Sequence, residues 1–201
     1  MRFVILASCA AFVGLWACSP SASSPEASPV ADVPAMKTNY DVIYSESRLG
    51  FTAEQEGAPF EGEFTEFTAA IFFDPAVLET ARVRVDVPLA SFSAGNADRE
   101  SSAPGKAWFD MKSFPVAKFE SDAIRADGAG YIADGKLSLK GKTLPLSLPF
   151  SLQEMDGKTE MRSTTVLDRT QWGVGEAPWD TDQYISRAVS LDITVVAQKR
   201  S

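Results

Sequence analysis

Between residues 39 and 200 apolar and polar positions alternate with a period of two, the pattern of strands with one dry face and one wet face. The clearest run is Arg82-Val83-Arg84-Val85-Asp86-Val87-Pro88-Leu89, in which the valines and Leu89 point one way and the charges the other. Tyr40, Val42 and Tyr44 start the series, a second extended region follows around Phe51, and a third covers 60–73. Further strands are predicted over 119–125, 131–139, 144–152, 158–167 and 185–197. Turn signals separate them: Gly57-Ala58-Pro59, Asp74-Pro75, Gly95-Asn96, Asp127-Gly128, Lys140-Gly141-Lys142, Asp156-Gly157 and the long segment 168–182. Pro145 and Pro149 share the outer face of one strand and mark it as an edge or a rim. About eight antiparallel strands with almost no helical period give an all-β sandwich or closed barrel, and the close spacing favours an eight-stranded barrel. Such a barrel is filled by side chains or encloses one small ligand.

The densest aromatic stretch, 107–121, holds Trp108, Phe109, Phe114 and Phe119. Asp110 and Pro115 interrupt it, so a short helical or loop segment around 98–115 is expected, turning at Phe114-Pro115 and entering a strand at Ala117. Two roles stand open for these rings, a plug closing one end of the barrel or the wall of a ligand site.

The alternation does not reach the N-terminus. One early arginine and an apolar run over 1–17 read as an export leader, too short for a membrane span. Leu15-Trp16-Ala17-Cys18 resembles the bacterial lipobox, with Trp16 where that motif has a small residue. The resemblance implies lipidation at Cys18 and, with Ser19 behind it, an exported protein anchored in the cell envelope facing the periplasm, at the outer membrane. Residues 18–38, rich in Ser, Pro and Ala, read as a tether reaching roughly 25 Å, and 39–200 as the folded domain.

Composition removes several chemistries. There is no histidine, and both cysteines, Cys9 and Cys18, lie in the leader region, so the domain has no thiol or imidazole for catalysis or metal binding. A net charge of −8 disfavours nucleic acid as a partner. Asp168, Glu176, Asp180 and Asp182 cluster in one loop and could run hydrolysis as paired carboxylates, but acidic loops are usually solvated. No catalytic residue and no metal ligand is assigned, and the chain reads as a non-enzyme.

Across 39–200 the chain resembles the YceI-like family. The matching features are Gly62-Glu63-Phe64, Phe73-Asp74, the strand from Val83 to Leu89, Ser93-Ala94-Gly95-Asn96 leading to Asp98-Arg99, and Trp108-Phe109-Asp110. They continue with Phe114-Pro115-x-Ala117-x-Phe119-x-Ser121, Gly135-Lys136-Leu137 to Gly141-Lys142-Thr143, and Arg169-x-x-Trp172-Gly173-Val174-Gly175. The resemblance implies a lipocalin-like barrel whose elongated cavity binds or carries a polyisoprenoid lipid or isoprenoid quinone, with no other cofactor. Many members carry a histidine after the Arg-Asp pair, where this chain reads Glu100-Ser101-Ser102. The Trp108-Phe109 form is similar to the branch associated with membrane cytochromes of the b561 type. A lipid-anchored module docking on such a cytochrome is therefore the alternative function, and a homodimer is compatible with the family.

The inward candidates for ligand contact are Phe51, Phe67, Val85, Val87, Trp108, Phe109, Phe114, Phe119, Leu139, Leu146, Leu148 and Trp172. Asp98, Arg99 and Arg169 are the charged positions in the matching motifs. An arginine there either holds the polar end of a ligand or pins a loop. Burying a chain of about forty carbons would nominally yield about 30 kcal/mol at ~0.8 kcal/mol per methylene. Non-covalent affinity saturates at ~18–21 kcal/mol, so chain ordering cancels much of that gain, and binding is expected to discriminate lipids by length.

Overall fold

The computed structural model describes residues 36–200. The leader 1–17, Cys18 and most of the tether lie outside the described residues. Among the described residues, eleven strands form one antiparallel sheet. In chain order they are β1 (Tyr40–Val42), β2 (Arg48–Gln55), β3 (Ala58–Phe64), β4 (Thr68–Phe72), β5 (Arg82–Pro88) and β6 (Phe92–Ser93). The helix α1 (Ala97–Ser102) follows, then β7 (Val116–Asp127), β8 (Gly130–Leu139), β9 (Lys142–Met155), β10 (Lys158–Asp168) and β11 (Ala188–Lys199).

The order β4-β5-β7-β8-β9-β10-β11-β2-β3-β6, with β1 beside β11, curls strongly. The count exceeds the expected eight because three long strands are broken. A 3-10 turn at Tyr44–Glu46 separates β1 from β2, residues 65–67 separate β3 from β4, and a 3-10 turn at Leu89–Ser91 separates β5 from β6. Across each break the partners remain in line. Phe64 pairs with Phe92 and Thr68 with Asp86 on the same two chain segments. Taken as interrupted staves, the eleven strands make eight.

Side chains close the curl where the ladder stops. Asn39 donates its backbone N–H to the Ile71 carbonyl at 3.0 Å. Its amide donates to the Phe73 carbonyl at 2.8 Å and accepts from the Phe73 N–H at 2.9 Å. The Tyr44 hydroxyl accepts from the Ala69 N–H at 3.2 Å. At the other break, the Thr65 N–H reaches the Ser91 carbonyl at 3.0 Å, and the Ser91 hydroxyl donates to the carbonyls of Pro88 and Glu66.

Tight turns fix the register. Glu56-Gly57, Lys140-Gly141 and Asp156-Gly157 have positive φ at both positions, the two-residue turn whose twist matches the flanking strands. A bulge at Asp122 shifts the β7–β8 register, so Ala117 and Phe119 point inward before it and Ile124 after it.

One seam stays open. β9 pairs with β8 from Leu139–Lys142 to Tyr131–Phe150, but with β10 only from Met155–Lys158 to Ser151–Arg162. Between 142 and 150 its other edge meets no strand, which places Pro145 and Pro149 where a missing N–H removes no ladder bond. The far end of the seam is tied by side chains. Lys142 Nζ donates to the Gln171 carbonyl at 3.1 Å, Lys140 Nζ to the Gly173 carbonyl at 2.6 Å, and Trp172 Nε1 to the Leu137 carbonyl at 2.9 Å.

Asn39→Ala would remove both side-chain bonds to Phe73, which join the residue before β1 to the residue after β4. Urea unfolding is expected to show a loss of about 1–2 kcal/mol.

Candidate functional site

The inward faces of the staves enclose a cavity of about 540 Å³, within the range of about 300–1,000 Å³ usual for small-molecule pockets. It runs from Tyr40, Phe73, Phe150 and Leu152 at one end to Asn96, Asp98, Arg99, Trp108 and Trp179 at the other. Thr159, Met161, Ser163 and Leu167 of β10 lie along it, a span of roughly 26 Å at ~3.3 Å per residue. At the far end Phe73, Tyr131 and Phe150 pack together, with Phe73 edge-on to Tyr131 at 5.1 Å. Nearer α1, Phe51 stacks on Phe92 at 5.5 Å, and Phe64 and Phe109 meet the same cluster. Gly62 makes this stacking possible, because a Cβ there would occupy the position of the Phe51 ring.

Of the inward candidates, Phe51, Phe67, Val85, Val87, Trp108, Phe109, Phe119, Leu139, Leu146 and Leu148 line the cavity. Phe114 and Trp172 do not. Phe114 lies outside the wall with its ring against Gly141. Trp172 is 2% exposed and packs at the tied end of the seam through its bond to Leu137. The aromatic stretch therefore serves both roles, as cavity wall at Trp108, Phe109 and Phe119 and as outer packing at Phe114.

Arg169 borders the cavity, but its side chain is spent on the backbone. Nε donates to the Ser186 carbonyl at 2.9 Å, and Nη1 to those of Val174 at 2.6 Å and Gly175 at 3.3 Å. Nη2 donates to the carbonyls of Trp179 and, at 2.8 Å, Ile185. All five donors of the fork are thus engaged, and the guanidinium pins the loop 173–186 instead of offering itself to a ligand. Gly175, at φ +76°, has no Cβ because Arg169 Nη1 fills that space. Burial lowers the Arg169 pKa, opposed by the charges of Asp168, Asp182 and Asp180.

Arg99 sits at the α1 end. Asn96 caps the helix, accepting from the N–H groups of Asp98 and Arg99. Glu100 accepts from the Ala94 and Gly95 N–H groups and the Ser93 hydroxyl, which hold its carboxyl below the usual range, the Ala94 N–H most strongly. On this frame Arg99 Nε donates to Gln55 Oε1 at 2.8 Å, with the guanidinium 3.9 Å above the Phe60 ring. Arg99 is thereby a latch between α1 and the end of β2.

Three of the four acids of the cluster, Asp168, Glu176 and Asp182, hold structure as well. Asp168 accepts from the Thr170 hydroxyl at 2.6 Å and from Arg187 Nη2 at 2.6 Å, Asp182 accepts from the Arg187 N–H, and Glu176 pairs with Lys140 at 2.8 Å. Burial pushes the Asp168 pKa up, but the Thr170 and Arg187 bonds outweigh it, leaving the carboxyl below its ordinary value. Several cavity residues are not among the inward candidates, including Ile71, Met161, Ser163, Leu191 and Ile193. Leu191 and Ile193 lie on a plain alternating apolar face and follow from it directly. Ser163, in the polar run Ser163-Thr164-Thr165, carries no such signal.

Two expected outcomes follow from this loop chemistry. Arg169→Lys keeps the charge but loses the fork, and should cost about 2–4 kcal/mol and speed proteolytic cleavage between Glu176 and Tyr184. Because the folded pKa of Asp168 is depressed, its stabilisation is fully present above the unfolded value of about 3.9 and is lost as pH falls through the lower folded value. A titration of thermal stability should therefore show Asp168→Asn flattening the decline below about pH 4.

Comparison with known proteins places this geometry. A YceI-like domain is recognised over residues 40–197. A UPF0312 protein of Photorhabdus laumondii is 29% identical over 117 residues, 57% of this chain and 61% of that protein. A UPF0312 protein of Yersinia pestis is 32% identical over 91 residues, 45% and 47% of the two chains. The chain thus spans about half the length of the curated relatives it matches. Among solved structures, Burkholderia cenocepacia BcnA superposes with a TM-score of 0.74 at 30% identity, over 79% of this chain and 100% of BcnA. A polyisoprenoid binding domain from Saccharophagus degradans, implicated in plant cell wall breakdown, shares the fold with a TM-score of 0.61 at 13% identity, over 81% and 99% of the two chains. With its interrupted staves, its apolar interior and a match running from β1 to β11, this chain belongs to the YceI-like family.

Proposed function

We propose that the domain binds an isoprenoid lipid or isoprenoid quinone in its barrel and carries or shields it without chemical change. The observation that carries this reading is the continuous apolar wall. Val83, Val85, Val87, Leu146, Leu148, Leu191 and Ile193 present hydrocarbon along the length of the cavity. Charged side chains border it at the α1 end, and Lys118, on the wall of β7, turns its ammonium outward to Asp86 at 3.8 Å. A long flexible hydrocarbon is the ligand such a surface desolvates best. The polyisoprenoid binding described for the Saccharophagus degradans domain supports the same class of cargo. The absence of catalysis is supported by the engagement of Asp168, Glu176 and Asp182 in loop-holding bonds. The site of action is the cell envelope, supported by the leader pattern over 1–17 and the lipobox resemblance at Cys18.

The test is mass spectrometry of an organic extract of the full chain purified from its native kind of host. A stoichiometric isoprenoid species is expected, and protein free of lipid would shift the reading to a docking module. Leu148→Trp, which fills part of the cavity from a half-buried wall position, should cut the bound lipid at least about fivefold without lowering Tm.

A further inference from the structure

Among the described residues the wall holds one buried side-chain polar group with no partner in the protein. Ser163 is 5% exposed, its side chain lines the cavity, and its Oγ has no hydrogen-bond partner. Deeper polar groups bordering the cavity have protein partners, since the Thr159 hydroxyl donates to Glu154 at 2.7 Å and Arg169 is saturated. Gln55, Ser102, Asp98 and Arg99 lie at the α1 end, where the Gln55 carbonyl accepts from Arg99 and the Ser102 hydroxyl donates to the Asp98 carbonyl. A buried hydroxyl without a protein partner must take its hydrogen bond from whatever the cavity contains or go without one at a cost.

Its position is specific. Ser163 lies one residue beyond Arg162–Ser151, the last β9–β10 pair, and in register with Ile193 on β11. It is six residues from Arg169, roughly 20 Å inside the α1 end at ~3.3 Å per residue. Met161 and Leu167 flank it on the wall, and no lysine or arginine lines the cavity from β10 at that depth. A phosphate there would be a buried charge without a counter-ion, whereas a neutral carbonyl or hydroxyl oxygen needs only one hydrogen bond.

We infer that Ser163 is the internal polar contact for cargo, and that the cargo is an isoprenoid with a neutral oxygen at its head, a quinone or phenol, inserted head first. The inference rests on the carrier reading above. The tail then runs from Ser163 toward α1, past Phe51, Phe109 and Trp108. Phosphate-headed isoprenoids are excluded from this pose by charge.

The experiment compares the full-length wild type with Ser163→Ala, using ubiquinone and squalene as probes offered from zwitterionic vesicles and quantified on the protein by mass spectrometry. Squalene is an isoprenoid hydrocarbon with no oxygen. The variant is expected to lose about three- to tenfold in ubiquinone affinity and to hold squalene within about twofold. Its lipid-free Tm should be equal to or above that of the wild type, since an unpartnered hydroxyl has been removed. An unchanged ratio of the two probes, whether both affinities hold or both fall, overturns the inference and leaves the carrier reading standing. A drop in lipid-free Tm of several degrees overturns it too, because the hydroxyl would then be bonded within the protein. Wild type that takes up neither probe overturns the carrier reading itself, and the inference with it.

Discussion

A barrel whose interior is a cavity lacks the packed centre that normally holds opposite walls together, so the wall must be kept closed from its rims and seams. This constraint explains where the polar side chains of the domain are spent. Asn39 joins the ends of the curl at one break, Ser91 and Thr65 at another, and Lys140, Lys142 and Trp172 tie the seam beside β9. Arg169 extends the principle to the longest loop, using every donor it has. Polar groups sit where backbone would otherwise be left open, and hydrocarbon is left for the inside.

Much of this was legible in the sequence. Strict alternation predicted most strands, because one dry face imposes a period of two whatever lies against it. The breaks at Tyr44–Glu46 and Leu89–Ser91 were not legible, since a single 3-10 turn keeps the flanking faces in phase and leaves no compositional mark. Phe114 precedes β7, and its N–H closes a turn onto the Asp110 carbonyl, so the alternation that points Ala117 and Phe119 inward does not reach it. Trp172 could not be sorted by alternation either, because it stands in a turn where period two has ended.

The charged candidates show a different limit. Arg99 and Arg169 stand in family motifs and border the same cavity, yet both act on the protein's own polar groups. Sequence fixes that a guanidinium is present, but not whether carbonyls from residues far along the chain have already claimed its donors. Ser163 is the converse, a residue too ordinary to be noticed that matters because nothing claims it. In both cases the deciding quantity is hydrogen-bond satisfaction, which only three-dimensional contact reveals.

The open seam has a mechanical consequence. Most neighbouring staves are joined by continuous ladders and can change their separation only by breaking hydrogen bonds. β9 and β10 share a ladder only over 151–155 and 158–162, and side chains tie the far end of the seam, so between these two points no ladder bond holds the strands together. The girth of the vessel is therefore least constrained by ladder bonds along this line. A cylinder slit in this way meets whatever lies inside it with one stretch of wall whose spacing no hydrogen-bond ladder sets.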